Sequence, residues 1–138
     1  MATGYVLAFD FGLSQTGVAV GQPVTGDARG VTTLACKGGK PRWREITALI
    51  EEFSPSSLVV GNPLNMDGTA SAMSAAADAF AEALRSRYAI DVSTHDERLT
   101  TQAARTDLEE ARAIGRANTE HELAACLIAE SWMRANAR

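Results

Sequence analysis

The chain has 138 residues, 46% of them hydrophobic, and a formal net charge of −4, the size and make-up of one ordinary domain that buries a core without staples. Two cysteines, Cys36 and Cys126, stand far apart with no C-x-x-C or Cys/His ligand spacing, which argues against a disulfide framework and a zinc site. The acidic balance argues against a general nucleic-acid binder, whose affinity comes mostly from Lys and Arg on phosphates, and leaves room for local basic patches. No basic segment precedes the first apolar run, and that run is too short for a signal sequence or a membrane span, so a soluble cytoplasmic protein with no membrane partner is expected.

In chain order, Tyr5-Val6-Leu7-Ala8-Phe9 reads as a short buried strand that ends in Asp10. A carboxylate in such a place is costly unless it is hydrogen-bonded, paired or bound to a cation, so the rest of the chain must supply a partner. "GVAVGQPVTG" and "GVTTLAC" are two more β-rich runs between glycine-containing turns, giving a three-stranded antiparallel meander to about Cys36. "WREITALIEEF" sets Trp43, Ile46, Leu49, Ile50 and Phe53 on one helical face, with Pro55 after its end. "SLVVGNP" is a buried strand, "TASAMSAAADAFAEALRSRY" a long helix and "IDVSTHDE" another strand; two further helices are expected over 101–112 and 120–137. The order βββαβαβαα predicts a single α/β domain over 1–138: a mixed five-stranded sheet, antiparallel meander then parallel strands, flanked by helices.

Strand ends are where open α/β sheets build their sites. Asp10 ends the first strand and Asp96 and Glu97 end the fifth, so these acids converge if the two strands are neighbours. An oxygen-rich cluster of that kind suits Mg²⁺ or Mn²⁺. Spacing alone leaves a plainer account open, in which Asp10 caps a turn beside Gly12 and Glu97 pairs with Arg98 or Arg105. In "ANTEHELAACLIAESWM", Thr119 and Glu122 form a capping-box pattern and Glu120 complements the helix dipole. His121 shares a helical face with Ala125, Ile128 and Trp132, so its ring is expected to point inward against the sheet, either as a core histidine or as a ligand near the strand-end acids.

"DFG" lacks the other parts of a kinase, and D-x-G-x-x-x-x-G matches the phosphate hairpin of two-domain ATPases in a chain too short for two such domains. Basic residues gather in "KGGKPRWR", with Lys37, Lys40, Arg42 and Arg44, and again at Arg98, Arg105, Arg112 and Arg116. Each cluster reads either as a solvated face or as a nucleic-acid contact.

"LAFDFGLSQTGVAVG", "VVGNPLNMDGT", "HDERLTTQAA" and "AACLIAESWM" together resemble, in order and spacing, the YqgF or RuvX family, over nearly the whole chain. The resemblance implies a ribonuclease H-like fold and a cytoplasmic nuclease that matures the 5′ end of the small-subunit ribosomal RNA precursor, acting with RNA and with ribosomes. It implies a site of three acids, of which the first two fall on Asp10 and Glu97. The third falls on His121, where the family usually has Asp, and Ser14 stands where a basic residue is common. A neutral imidazole can ligate a divalent ion or act as a base, while lowering the negative charge of the site and its hold on Mg²⁺.

On that reading the expected catalytic and metal set is Asp10, Glu97 and His121, with Mg²⁺ or Mn²⁺ as cofactor. Arg98 is expected on the scissile phosphate, with Asp96 orienting either Arg98 or its own strand end. Asn65, Asp67 and Thr69, in the loop before the long helix, and the basic Lys40, Arg42 and Arg44 are the expected RNA contacts; the loop residues also read as a plain Asp-Gly turn and an N-cap. Two other functions are compatible with the same residues: a non-catalytic RNA- or ribosome-binding factor, favoured by His121 and Ser14, and a Holliday junction resolvase, which needs a dimer to cut symmetrically.

Overall fold

The computed structural model describes residues 4–65, 67–99, 106, 110, 115 and 117–136. Its strands form one sheet in the order β4-β3-β2-β1-β5-β6. β1 (Val6–Asp10), β2 (Gln15–Gln22) and β3 (Asp27–Lys37) make the expected antiparallel meander. β5 (Ser57–Asn62) runs parallel to β1, and β6 (Asp91–Asp96) parallel to β5. The sheet has six strands where five were expected. The extra one is β4 (Lys40–Pro41), a two-residue edge created where Gly38 and Gly39, at φ of 59° and 81°, fold the chain back on β3. Positive φ at both central positions is what a tight hairpin turn demands, and glycine supplies it without a steric penalty.

Among the described residues, three α-helices cover the sheet: α1 (Trp43–Phe53), α2 (Ala72–Arg87) and α3 (Glu120–Ala135). α1 has the expected limits and stops where Ser54 takes a left-handed conformation and donates its N–H to the Ile50 carbonyl at 2.8 Å. α2 starts at Ala72, later than the sequence pattern suggested, because Ser71 is the cap and accepts from the Ser74 N–H at 2.9 Å. The helix expected over 101–112 lies, apart from Thr106 and Glu110, outside the described residues. No described helix is long and apolar enough to cross a membrane.

Strand alternation divides the core into two layers. Leu7 and Phe9 of β1, with Val18, Leu58 and Val60, face α1 and α2, where they meet Ile46, Leu49, Ala77, Phe80, Ala81 and Leu84. Val6 and Ala8, with Ala19 and Val59, face α3 through Leu123, Ala125, Ile128, Ala129 and Met133. The period of two then dictates where the next residue goes. Asp10 follows Val6 and Ala8 on the α3 face, so the strand carries its carboxylate out of the core at the point where α3 begins.

Candidate functional site

Glycines set the distance between α3 and the sheet. Gly17 of β2 lies directly opposite Asp10 of β1, and a Cβ there would stand 2.0 Å from the His121 carbonyl oxygen and 2.9 Å from the His121 Cβ. Gly21 and Gly30 play the same part further along: their missing Cβ atoms would meet the Met133 side chain at 2.8 Å and the Glu122 carboxylate at 2.4 Å. A helix can approach a sheet this closely only where side chains are absent. Here that approach brings the first turn of α3 down on the end of β1.

The result is a contact between His121 and Asp10, with imidazole Nδ1 3.8 Å from carboxylate Oδ2. The first turn of α3 is fixed by its capping box: the Glu122 N–H donates to Thr119 Oγ1 at 3.0 Å, and Glu122 Oε1 accepts from the Asn118 N–H at 3.1 Å. Glu122 is thereby explained as a structural carboxylate, buried to 4% exposure. His121 departs from expectation in one respect. Its side chain is 43% exposed, against 23% for Asp10, so it sits at the margin of the α3 face over the strand end and is not a core histidine. The core position on α3 belongs instead to its neighbours, Glu122 and Leu123.

Glu97 arrives from the other side. β1 and β6 are not neighbours as the convergence of their acids had required, because β5 lies between them. Gly61 of β5 spans the gap. It pairs with His95 of β6, and a Cβ on it would stand 2.8 Å from Glu97 Oε2 and 2.4 Å from Ile128 Cδ1. Glu97 therefore extends over a strand position left empty by glycine, on the α3 face that also carries Asp10. His95 shares this face and is tied to α3, its Nε2 2.8 Å from Ser131 Oγ; burial pushes its pKa down.

Asp96, one residue earlier, points the other way. Its neighbour Asn62 faces α2 and accepts from Ser74 Oγ at 2.6 Å. Asp96 grips Arg98, accepting from its Nε at 3.1 Å and its Nη2 at 2.7 Å. The Arg98 guanidinium holds the Asp96 carboxyl below the usual carboxylate range and is itself pushed up by that contact. The expected steadying of Arg98 by Asp96 is thus present in the structure.

The Arg98 Nη1 lies 3.6 Å from where a Gly68 Cβ would be, so the loop of Asn65, Asp67 and Thr69 abuts it. Within that loop the polar groups serve one another. Thr69 donates its N–H and its hydroxyl to Asp67 Oδ1 at 3.0 and 2.7 Å, and Asn65 Nδ2 donates to Thr69 Oγ1 at 3.0 Å. The Thr69 hydrogen bonds hold the Asp67 carboxyl below its usual value. The N-cap role suggested for this stretch falls to Ser71.

Lys40 and Arg44 are exposed, and Arg42 is the exposed residue before α1, with Nη1 3.8 Å from Glu45 Oε2. Arg105, Arg112 and Arg116 lie outside the described residues. Sequence reasoning missed Gly17 and Gly61 as the residues that gather the site. Their signal was glycine inside a strand, which marks a close approach by another element.

Among the described residues, no three His, Cys, Asp or Glu side chains are gathered closely enough to enclose a metal ion. Asp10 and His121 meet at the end of β1, and Glu97 lies over Gly61 of the adjacent β5. The two carboxylates are chemically suited to Mg²⁺ or Mn²⁺, while the imidazole weakens the fit to Mg²⁺ relative to softer ions.

This sheet, with a meander, two parallel strands and strand-end acids beneath the last helix, defines a ribonuclease H-like fold of the resolvase kind. The chain aligns with Thermus thermophilus RuvC in complex with a Holliday junction substrate at a TM-score of 0.66 and 15% identity, covering 96% of this chain and 94% of that one. It aligns with the yeast mitochondrial Holliday junction resolvase Ydc2 at 0.54 and 13%, covering 96% and 78%. A protein of Pseudomonas putida named "Putative pre-16S rRNA nuclease" is 46% identical over 134 residues, 95% of each chain. One of the same name from Pseudomonas aeruginosa is 47% identical over 130 residues, 93% of this chain and 90% of its own length. Residues 4–135 match the family model RuvX, described as Holliday junction resolvase, and the chain belongs to that family.

Proposed function

We propose that this protein is a metal-dependent nuclease that cuts the precursor of 16S ribosomal RNA in maturing its 5′ end. The observation that carries the reading is the placement of Asp10, His121 and Glu97 on one face at one end of the sheet, beneath α3. The names of the full-length relatives supply the substrate.

Asp10 and Glu97 would hold a divalent cation, with His121 beside Asp10. Such a cation, when bound, stabilises charge on the phosphoryl oxygens and lowers the pKa of bound water. The chain's own groups complete the chemistry. His121, its ring partly exposed and Nδ1 3.8 Å from Asp10 Oδ2, would join Asp10 as a third ligand to that cation. Arg98, locked in a forked grip by Asp96, presents a preorganised cation to the scissile phosphate. The loop of Asn65, Asp67 and Thr69 buttresses Arg98 and leads to the N-terminus of α2, a second place for an RNA phosphate.

Purified protein incubated with Mg²⁺ or Mn²⁺ and, in parallel, precursor 16S RNA, unrelated single-stranded RNA and four-way DNA junctions tests the reading. Cleavage of the precursor is expected. Paired nicks in the junction alone would transfer the protein to the resolvase reading, which the family description and the RuvC fold favour. Metal-independent RNA binding without cleavage would make it a binding factor.

Two further results are expected. His121→Asp should fold, since a side chain 43% exposed escapes most of the burial cost of a carboxylate. Two carboxylates in contact repel without a cation, so Mg²⁺ should raise the melting temperature of this variant more than that of the parent, and Mg²⁺-dependent turnover should rise. A variant that Mg²⁺ neither stabilises nor activates would remove His121 from the metal site. Neutralising Lys40, Arg42 and Arg44 together should lower the log-log salt slope of single-stranded RNA binding by about 2, at roughly 0.7 per lost phosphate contact. An unchanged slope would place the RNA path on other cations.

A further inference from the structure

Beyond the end of β1 lies a groove of about 550 Å³, between the loop after β1, the β3–β4 turn and α2, of which the reading above uses only Lys40. Three rings form a row along it. Phe11 and Phe80 are 5.2 Å apart at 32°, and Phe80 and Trp43 are 6.0 Å apart and stacked at 20°. The Arg87 guanidinium lies 4.1 Å above the Trp43 ring. Leu13 stands at the rim, 52% exposed, among the few large apolar side chains left in water. Among the described residues the charged part of the lining is Lys40 and Arg87, both cations, in a chain whose net charge is −4.

The groove meets the site only at the end of β1: Phe11 is the residue after Asp10, and its ring packs on the α2 face of the sheet while Asp10 belongs to the α3 face. Its wall is also built. The Gly39 N–H donates to the Leu13 carbonyl at 2.9 Å, and a Cβ on Gly39 would stand 2.9 Å from Phe11 Cζ, so the glycine turn is pressed against the loop that follows the catalytic strand. Along α2 the lining runs from Ala76 to Arg87, about 16 Å at 1.5 Å per residue.

We propose that this groove seats single-stranded RNA adjoining the bond that is cut, one base against Phe11 and Leu13, a second on the Arg87 plane over Trp43, and Lys40 on the backbone. The proposal rests on the nuclease reading of the Asp10 site. Unpaired bases stack on aromatic rings and on arginine planes, while rim cations meet the phosphates. The combination of an aromatic floor, a cationic rim and an end one residue from Asp10 fits a nucleic-acid strand better than an apolar peptide, which would gain nothing from the cations.

Asp10→Asn, Trp132→Phe protein, expected to cut at least about a hundredfold more slowly and retaining Trp43 as its sole tryptophan, is titrated with a short unlabelled single-stranded RNA of mixed sequence. Quenching of Trp43 emission is expected, and Phe11→Leu and Arg87→Ala should each weaken binding about tenfold. Should Phe11→Leu lower the melting temperature, Leu13→Ala at the exposed rim takes its place and should also weaken binding. RNA binding with unchanged Trp43 emission, or with full affinity in these variants, overturns the proposal while precursor cleavage by the parent leaves the nuclease reading standing. Quenching without any cleavage by the parent has the opposite meaning: the groove stands and the nuclease reading falls. Concentration-dependent dimerisation that Leu13→Lys abolishes would assign the groove to a second copy of the chain and overturn the proposal.

Discussion

Asp10→Asn should reduce precursor cleavage by at least about a hundredfold, which is roughly 2.7 kcal/mol of lost transition-state stabilisation, while leaving the melting temperature within a few degrees of the parent. The substitution keeps the shape of the side chain and its ability to accept a hydrogen bond. It removes the charge. Asp10 is partly exposed at the last position of β1 and shares its face with His121 and Glu97, so the fold does not depend on its ionisation but the hold on a divalent cation does. Isothermal titration with Mn²⁺ supplies a second readout, in which the variant should bind the ion more weakly. Cleavage at the parental rate by protein freed of contaminating nuclease would take Asp10 out of the chemistry and, with it, the reading of this strand end as an active site.

How Asp10 could be found in the sequence, and why its partners were harder, follows from the range of the signals involved. A charged residue closing the run Val6 to Phe9 is a local anomaly, visible without any knowledge of the fold. So were the amphipathic α1, whose limits at Trp43 and Phe53 were correctly read, and the Thr119/Glu122 capping box. Each depends on residues within about one turn or one strand of each other. The relation between Asp10 and Glu97 is of another kind. It depends on strand order, and the chain-order pattern does not reveal that β5 sits between β1 and β6.

The same distinction explains the other departures. β4 is two residues long, below the length at which alternation carries information, and only the paired glycines betray it. The loop of Asn65, Asp67 and Thr69 also read as a turn and an N-cap without saying which residue caps; the Asp67–Thr69–Asn65 hydrogen bonds commit Thr69 to the turn and leave the cap to Ser71. The helical phase turned His121 inward against the sheet, whereas in the structure the first turn of α3 stands at the sheet's margin and leaves the ring half in water and against Asp10.

The largest effect on stability is expected from Gly17→Ala, and its sign discriminates between two accounts of that residue. Glycine in a strand interior normally weakens the strand, so alanine at an ordinary position of β2 should be neutral or slightly stabilising. At Gly17 the new Cβ would lie 2.0 Å from the His121 carbonyl oxygen and 2.3 Å from its carbon, and the clash is with helix backbone that has no rotamer to change. Relief requires the first turn of α3 to rise from the sheet, which opens the Asp10 to His121 contact and loosens the packing behind it. Overpacking of this sort costs about 1–3 kcal/mol or more, so the melting temperature should fall by roughly 5–10 °C. Activity should fall further than stability, by about a hundredfold for a displacement near 1 Å. Gly61→Ala is the comparison: its Cβ would meet the tips of Ile128 and Glu97, side chains that can turn aside, so stability should fall less while the displaced Glu97 carboxylate still depresses cleavage. Circular-dichroism melts and cleavage rates of the two variants separate these outcomes. A Gly17→Ala protein as stable as the parent would mean that α3 does not rest on β2 at this point, and the site assembled by that contact would have to be redrawn.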